Sequence, residues 1–192
     1  MSRENYAPHA RVGHDESDAN HEFEAGTPFN ILKSKAKNVK ENIIYRKIRT
    51  GEEDEVFNLV KAGFDEYVLS DLAEEGANEF FRAAREMIYV KPAAHLIMVA
   101  ESKSGIIGMI DIRDANHICL FFIVKKFQNR GIGRRLLERA TAECIKNNSH
   151  EIEVNSSLFA VQIYKKLGFV QVRPEQLLNG IRFVPMVKTL RK

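Results

Sequence analysis

Gln128, Gly131 and Gly133 stand at Gln-x-x-Gly-x-Gly spacing between an apolar run, Leu120–Val124, and a basic amphipathic segment that opens at Ile132. Glycines at such a turn permit backbone conformations and close approaches that a side chain blocks. If a helix follows, its first amides point outward with the positive end of the dipole behind them, which suits a phosphate anion. Arg130, Arg134 and Arg135 add charge around the turn, and Glu138 is the single acid between Lys125 and Arg139. The chemistry implied is the holding of a pyrophosphate or a phosphorylated nucleotide. A plain helix start with a basic, solvated face is the competing reading.

Two nucleotide-binding patterns are excluded. A P-loop needs Gly-x-x-x-x-Gly-Lys-Ser/Thr, whereas Arg134 and Arg135 follow Gly133 and supply no hydroxyl for magnesium. A dinucleotide turn needs a third glycine where Leu136 stands, and a βαβ unit early in a parallel sheet.

A second segment, Val154-Asn-Ser-Ser-Leu-Phe-Ala-Val-Gln-Ile-Tyr-Lys-Lys-Leu-Gly-Phe169, also carries chemistry. Asn155 falls at a strand end, and Ser156 or Ser157 is suited to cap the helix that follows. Tyr164 shares a helical face with Ala160. It serves either as core packing with its hydroxyl at the surface or as a phenol directed into a cleft beside the fourth strand.

The elements that must position these residues follow from periodicity. Ile43–Ile48 reads as a strand. Val56, Leu59, Val60, Phe64 and Tyr67 recur at helical spacing behind the acidic Glu52, Glu53 and Asp54. Phe80, Phe81, Ala84, Met87 and Ile88 mark a second helix, stopped before Pro92. Three strands, His95–Glu101, Gly105–Ile112 and Asn116–Val124, are joined by short turns and read as an antiparallel meander. Ile132, Leu136, Leu137, Ala140 and Cys144 form the inner face of the helix after the glycine turn. A strand at Glu151–Val154, a helix ended by Gly168, and strands at Phe169–Val172 and Ile181–Lys188 complete the order, the last introduced by Asn179-Gly180. The expectation is an α/β (α+β) chain of about seven strands and four helices.

Composition bounds the rest. At 192 residues, 44% hydrophobic and 29% charged, the chain is long enough for one domain with a substantial core. Its net charge of +3 does not by itself imply a nucleic-acid partner. Cys119 and Cys144 sit in apolar periodic segments, so neither a disulfide framework nor a zinc site is expected, and reduced thiols in a cytoplasmic protein are the default. No apolar run approaches the roughly 18 residues of a membrane span, and no signal peptide opens the chain. Residues 1–40 are polar and read as a flexible extension; His9, His14 and His21 lack metal-site spacing there, and Lys33, Lys35, Lys37 and Lys40 read as a solvated linker. Residues 41–192 form the domain.

Gln128-Asn-Arg-Gly-Ile-Gly133 together with Asn155, Ala160, Tyr164, Gly168 and Phe169 resembles the paired motifs of the GNAT superfamily of acyl-CoA-dependent N-acetyltransferases. The resemblance runs from about Ile43 to Val187. It implies a mixed, mostly antiparallel twisted sheet that splays between its fourth and fifth strands. It implies that Phe122, Ile123 and Val124 offer backbone groups to the pantetheine arm of acetyl-CoA. It implies that the amides from Arg130 through Arg135, including Gly131, Ile132, Gly133 and Arg134, cradle its pyrophosphate and that Asn155 contacts its middle. The resemblance further implies that Tyr164 protonates the departing thiolate, and it implies no metal.

An amine attacks the thioester directly, so no enzyme nucleophile is required and the cysteines read as packing residues. A strand-end amide, that of Val124, is expected to stabilise the oxyanion. An alkyl amine with a pKa near 10 is almost wholly protonated at neutral pH, so a base or a water chain must deprotonate it. Asp111 and His117 are the candidates, and alternation does not decide whether either faces the cleft. Arg113 stands ready for an acidic substrate group or merely decorates its turn. The expected reaction is acetyl transfer to a primary amine of a small molecule. A non-catalytic acyl-CoA sensor and a toxin-like enzyme acting on aminoacyl-tRNA are the alternatives. The edge of Ile181–Lys188 leaves a homodimer open.

Overall fold

Near-continuous apolar runs through the middle of the chain, such as Leu96–Ala100 and Ile118–Val124, fit a sheet buried on both faces, with helices supplied from before and after it. The computed structural model describes residues 42–69 and 74–190 of the chain; the expectations for the N-terminal extension, its histidines and its lysines lie outside them. Strand β1 (Ile44–Lys47) leads into α1 (Glu53–Tyr67) and α2 (Glu74–Arg85). One π-helical turn, Glu86–Val90, extends α2 and ends in left-handed Lys91 just before Pro92. Strands β2 (His95–Ser102), β3 (Gly105–Arg113) and β4 (His117–Ile123) follow. A short 3₁₀ turn, Lys125–Phe127, then leads to α3 (Ile132–Lys146). The chain ends with β5 (Glu151–Ser156), α4 (Val161–Lys166), β6 (Val170–Gln171), β7 (Gln176–Leu178) and β8 (Ile181–Thr189).

The sheet order is β1-β2-β3-β4-β5-β8-β6, with β7 paired to β8. Every pairing is antiparallel except β4 with β5. This is the mixed, mostly antiparallel sheet expected, with one strand more. The additional strand is β7, which forms a two-residue hairpin with β8 through Asn179 and Gly180, both at positive φ. That is the Asn-Gly turn whose twist matches antiparallel strands. A three-residue strand without alternation leaves no periodic trace, so only its turn was readable.

Each sheet face packs one pair of helices. Ile97, Val99, Met109 and Leu120 meet Val56 and Val60 of α1 and Ile88 beyond α2. Met98, Ile110, Ile112 and Ile118 meet Leu136, Leu137, Ala140 and Cys144 of α3. Two β-bulges break the register. Ile107 is the extra residue on β3 against β2, and Cys119 is the extra residue on β4 against β3. A bulge twists and bends the strand that carries it, and β4 carries its bulge just where it parts from β5.

Candidate active site

Strands β4 and β5 pair only at His117↔Glu153 and Ile118↔Val154. Beyond Ile118 the two diverge and leave a wedge in the sheet. The Val124 amide donates to the Ile107 carbonyl at 2.9 Å. Alternation of the antiparallel ladder therefore commits Leu120, Phe122 and Val124 to β3, and turns the backbone groups of Phe121 and Ile123 toward the wedge. The Ile123 carbonyl there accepts a bond from Gln128 Nε2 at 2.9 Å, and the same nitrogen donates to the Tyr67 hydroxyl at 3.2 Å. Val124 is thus not the free amide expected for the oxyanion. The bulge at Cys119 adds one residue to β4, a shift that the sequence does not announce.

The glycine turn lies at the open end of the wedge. Gly131, with φ of 77°, is the residue at which α3 begins, and Asn129 also has positive φ, at 58°. Left-handed residues alternating in this way turn successive amides toward one point. The first helical bond runs from the Arg135 amide to the Gly131 carbonyl at 3.1 Å. The amides left free to meet an anion therefore end at Arg134, and Arg135 offers only its side-chain charge. The Arg134 guanidinium donates to the Lys166 carbonyl at 3.1 Å, and Arg130 lies over the Phe127 ring.

A cavity of about 670 Å³ fills the wedge. Of the residues expected in the site, it is lined by His117, Phe122, Ile123, Gln128, Gly131, Ile132, Gly133, Arg134, Asn155 and Tyr164. Asp111, Val124, Arg130 and Arg135 are not in its wall. Tyr164 is buried between Phe121 and Phe169, with ring centroids 6.3 and 5.1 Å away, and burial raises its phenol above the ordinary tyrosine range. The serines do not cap α4, which starts beyond Ala160 without a side-chain cap; Ser156 instead donates to the Ser157 carbonyl at 2.8 Å.

The two base candidates have separate partners. His117 Nδ1 lies 3.1 Å from Glu153 Oε1, its register partner on β5, and its side chain is 16% exposed at the cavity. A carboxylate at Nδ1 fixes the ring proton there and leaves Nε2 as an acceptor. Asp111 is wholly buried and pairs with His95 Nδ1 at 2.8 Å on the α1 and α2 face of the sheet. Burial raises its carboxyl above the usual range, while the His95 hydrogen bond opposes that shift. Neither partner was readable from the sequence: Glu153 lies 36 positions from His117, and His95 lies 16 from Asp111.

The wall opposite the glycine turn comes from α1, α2 and the β7–β8 hairpin, with Phe64, Phe80 and Met87 on one side and Ile181 and Phe183 on the other. Phe64 and Phe80 stack at 4.1 Å, and Tyr67 stacks on Phe159 at 4.7 Å. An adjoining cavity is lined by Glu74, Glu75, Asn78, Glu79, Arg82 and Asn179, sharing Glu79 and Asn179 with the first. Hairpin residues such as Phe183 were not expected in the site, since nothing local distinguishes them from ordinary strand residues.

A wedge in a sheet with an amide cradle at one end and an apolar chamber at the other suits a long phosphate-bearing donor meeting a second substrate. A family profile described as acetyltransferase (GNAT) domain matches residues 68–190, and the chain belongs to that family of acetyltransferases. Solved structures share the fold. A GCN5-related N-acetyltransferase from Rhodopseudomonas palustris is 16% identical, with 77% of this chain and 95% of that chain covered at a TM-score of 0.65. The PaiA N-acetyltransferase of Thermoplasma acidophilum, solved in complex with coenzyme A, is 18% identical over 78% of this chain and 99% of that chain, with a TM-score of 0.63. An aminoglycoside 6′-acetyltransferase type Ii is 17% identical over 76% and 96%, with a TM-score of 0.58. Among curated proteins none matches this chain. Among the described residues no helix is long and apolar enough to cross a membrane.

Proposed function

We propose that this protein transfers an acetyl group from acetyl-CoA to the primary amine of a small molecule by direct attack. The observation that carries the reading is the wedge itself: the left-handed Gly131 turn, Asn155, His117 and Tyr164 all line one cavity. In this reading the amides from Gly131 to Arg134 hold the pyrophosphate, and the Phe121 and Ile123 edge of β4 aligns the pantetheine arm. Asn155 contacts the donor near its middle. One of the wedge-facing amides of β4, in place of Val124, stabilises the oxyanion, an interaction worth roughly 3–4 kcal/mol.

His117 Nε2 takes the proton from the attacking ammonium, with Glu153 holding the ring in the required tautomer. Tyr164 delivers a proton to the departing thiolate. The amine enters from the chamber between α2 and the β7–β8 hairpin. Three glutamates against one arginine at its adjoining mouth favour a cation there. The transfer requires no metal, because both proton movements fall to side chains. The likeness to a coenzyme A complex and to a small-molecule acetyltransferase supports both halves of the reading.

The test is calorimetry followed by an amine panel. The full chain should bind acetyl-CoA in the micromolar range. Gly131→Glu should abolish binding, since a side chain there is strained at φ of 77° and its carboxylate repels the pyrophosphate. A wild-type protein that fails to bind CoA sinks the proposal. Binding without CoA release on any amine would instead favour an acyl-CoA sensor.

A further inference from the structure

We propose that His95, Asp111 and Cys119 form a binding site for a divalent transition ion of the zinc class, on the sheet face opposite α3. One ligand atom from each lies within 4.8 Å of the others. They come from three adjacent strands, and the third is present only because β4 carries an extra residue. Without the bulge at Cys119, Leu120 and Ile118 would pair in unbroken register with β3 and no thiol would reach this position.

The second observation is a missing partner. Asp111 is completely buried, and its Oδ2 is bonded to His95 Nδ1 at 2.8 Å. Its Oδ1 is the one buried side-chain polar atom without a hydrogen-bond partner among the described residues. A buried carboxylate oxygen left bare is costly, and the usual remedy is a hydrogen bond or a cation. No lysine or arginine forms an ion pair with Asp111 among the described residues; its ion-pair partner is His95.

The donor set selects the class of ion. Sulfur, imidazole nitrogen and carboxylate oxygen together suit zinc and its analogues, and do not suit magnesium or calcium, which take oxygen. Tetrahedral ligand atoms around zinc lie about 3.3–3.6 Å apart, so a pair at the 4.8 Å limit must close by about 1.2–1.5 Å, while His95 Nδ1 and Asp111 Oδ2, at 2.8 Å, must open. Binding breaks the Cys119 S–H bond and forms a sulfur–metal bond, with the proton released to solvent. The ion replaces the proton at His95 Nδ1, which moves to Nε2. Thiolate and carboxylate then neutralise the two charges of the ion. Cys119 also lines the wedge cavity, which gives the ion a way in and water a fourth position.

Cobalt(II) titration of the full chain tests this. One ion per chain should bind with tetrahedral d–d bands and a near-ultraviolet thiolate-to-cobalt band, and zinc should displace it. Cys119→Ser should remove the thiolate band. Asp111→Asn and His95→Ala should weaken binding by more than about a hundredfold, since loss of an outer partner alone costs 10- to 100-fold. Cys144→Ser should leave the spectrum unchanged, and the three N-terminal histidines contribute no thiolate. Folding of each variant is checked by circular dichroism. No thiolate band with folded wild-type protein overturns the site, as does a band that survives Cys119→Ser. Neither result bears on acetyl-CoA binding, so this proposal and the enzymatic one fail separately.

Discussion

In the proposed reaction Tyr164 gives up a proton and His117 takes one, so substituting either should slow the chemical step. A tyrosine phenol is protonated at neutral pH, and burial, which raises that of Tyr164 further, holds its proton until a strong base such as a thiolate forms beside it. Phenylalanine preserves the packing against Phe121 and Phe169 and removes only the hydroxyl. Tyr164→Phe should therefore lower kcat by about 10²-fold or more while acetyl-CoA affinity stays nearly constant. His117 takes the proton of the attacking ammonium, so His117→Gln should lower kcat while acetyl-CoA affinity stays nearly constant. Steady-state rates, paired with calorimetry, check both roles. An unchanged kcat in Tyr164→Phe across the pH range would remove its assignment.

At the scale of elements, one arginine ties three together. Arg46 of β1 donates from Nε to Glu101 of β2 at 2.7 Å and from its two terminal nitrogens to Glu52 before α1, at 2.8 and 2.7 Å. Arg46, helped by the Arg49 amide, holds the Glu52 carboxyl down at about 2, against an ordinary 4.5. A depressed carboxyl stabilises the fold above its unfolded pKa, and this contribution is lost as pH falls through the folded one. The wild-type protein should lose stability as pH drops from 4.5 toward 2 for this reason. Arg46→Met should cost about 0.5–3 kcal/mol at neutral pH and show a shallower acid dependence, measured by urea unfolding at several pH values. Such ties mark the limit of what was legible in the sequence. The helices and long strands announce themselves because α1 and α3 bury one face at fixed period and the meander strands are near-continuous apolar runs. The glycine turn is equally local. By contrast, the partners of His117, Asp111 and Arg46 are set by strand register, and the Cys119 bulge shifts that register without any Gly or Pro to mark it. For the same reason the sequence does not show that the Val124 amide is spent on the Ile107 carbonyl. Local pattern says which residues are buried, and only pairing says which backbone groups are spent.

At the scale of the whole domain, the chamber proposed for the acceptor depends on a contact between segments a hundred residues apart. The first turn of α2 rests on the tip of the β7–β8 hairpin, and a Cβ added at Gly76 would lie 2.7 Å from the Gly180 carbonyl oxygen. Gly180 sits at positive φ in a two-residue turn, so that carbonyl cannot swing aside without opening the hairpin. The same hairpin brings Phe183 into the cavity wall and Asn179 to its mouth. Replacing Gly76 sets two effects against each other. Alanine gains about 1 kcal/mol of helix propensity, whereas overpacking typically costs about 1–3 kcal/mol. Valine keeps less of the first and adds to the second, so Gly76→Val has an unambiguous sign. Its Tm should fall by about 2–8 °C. Because the displaced hairpin borders the amine side and not the Gly131 turn, KM for the amine should rise while the dissociation constant for acetyl-CoA holds. Equal losses at both substrates would mean that the hairpin supports the whole wedge, and that the two ends of the cavity are not built independently.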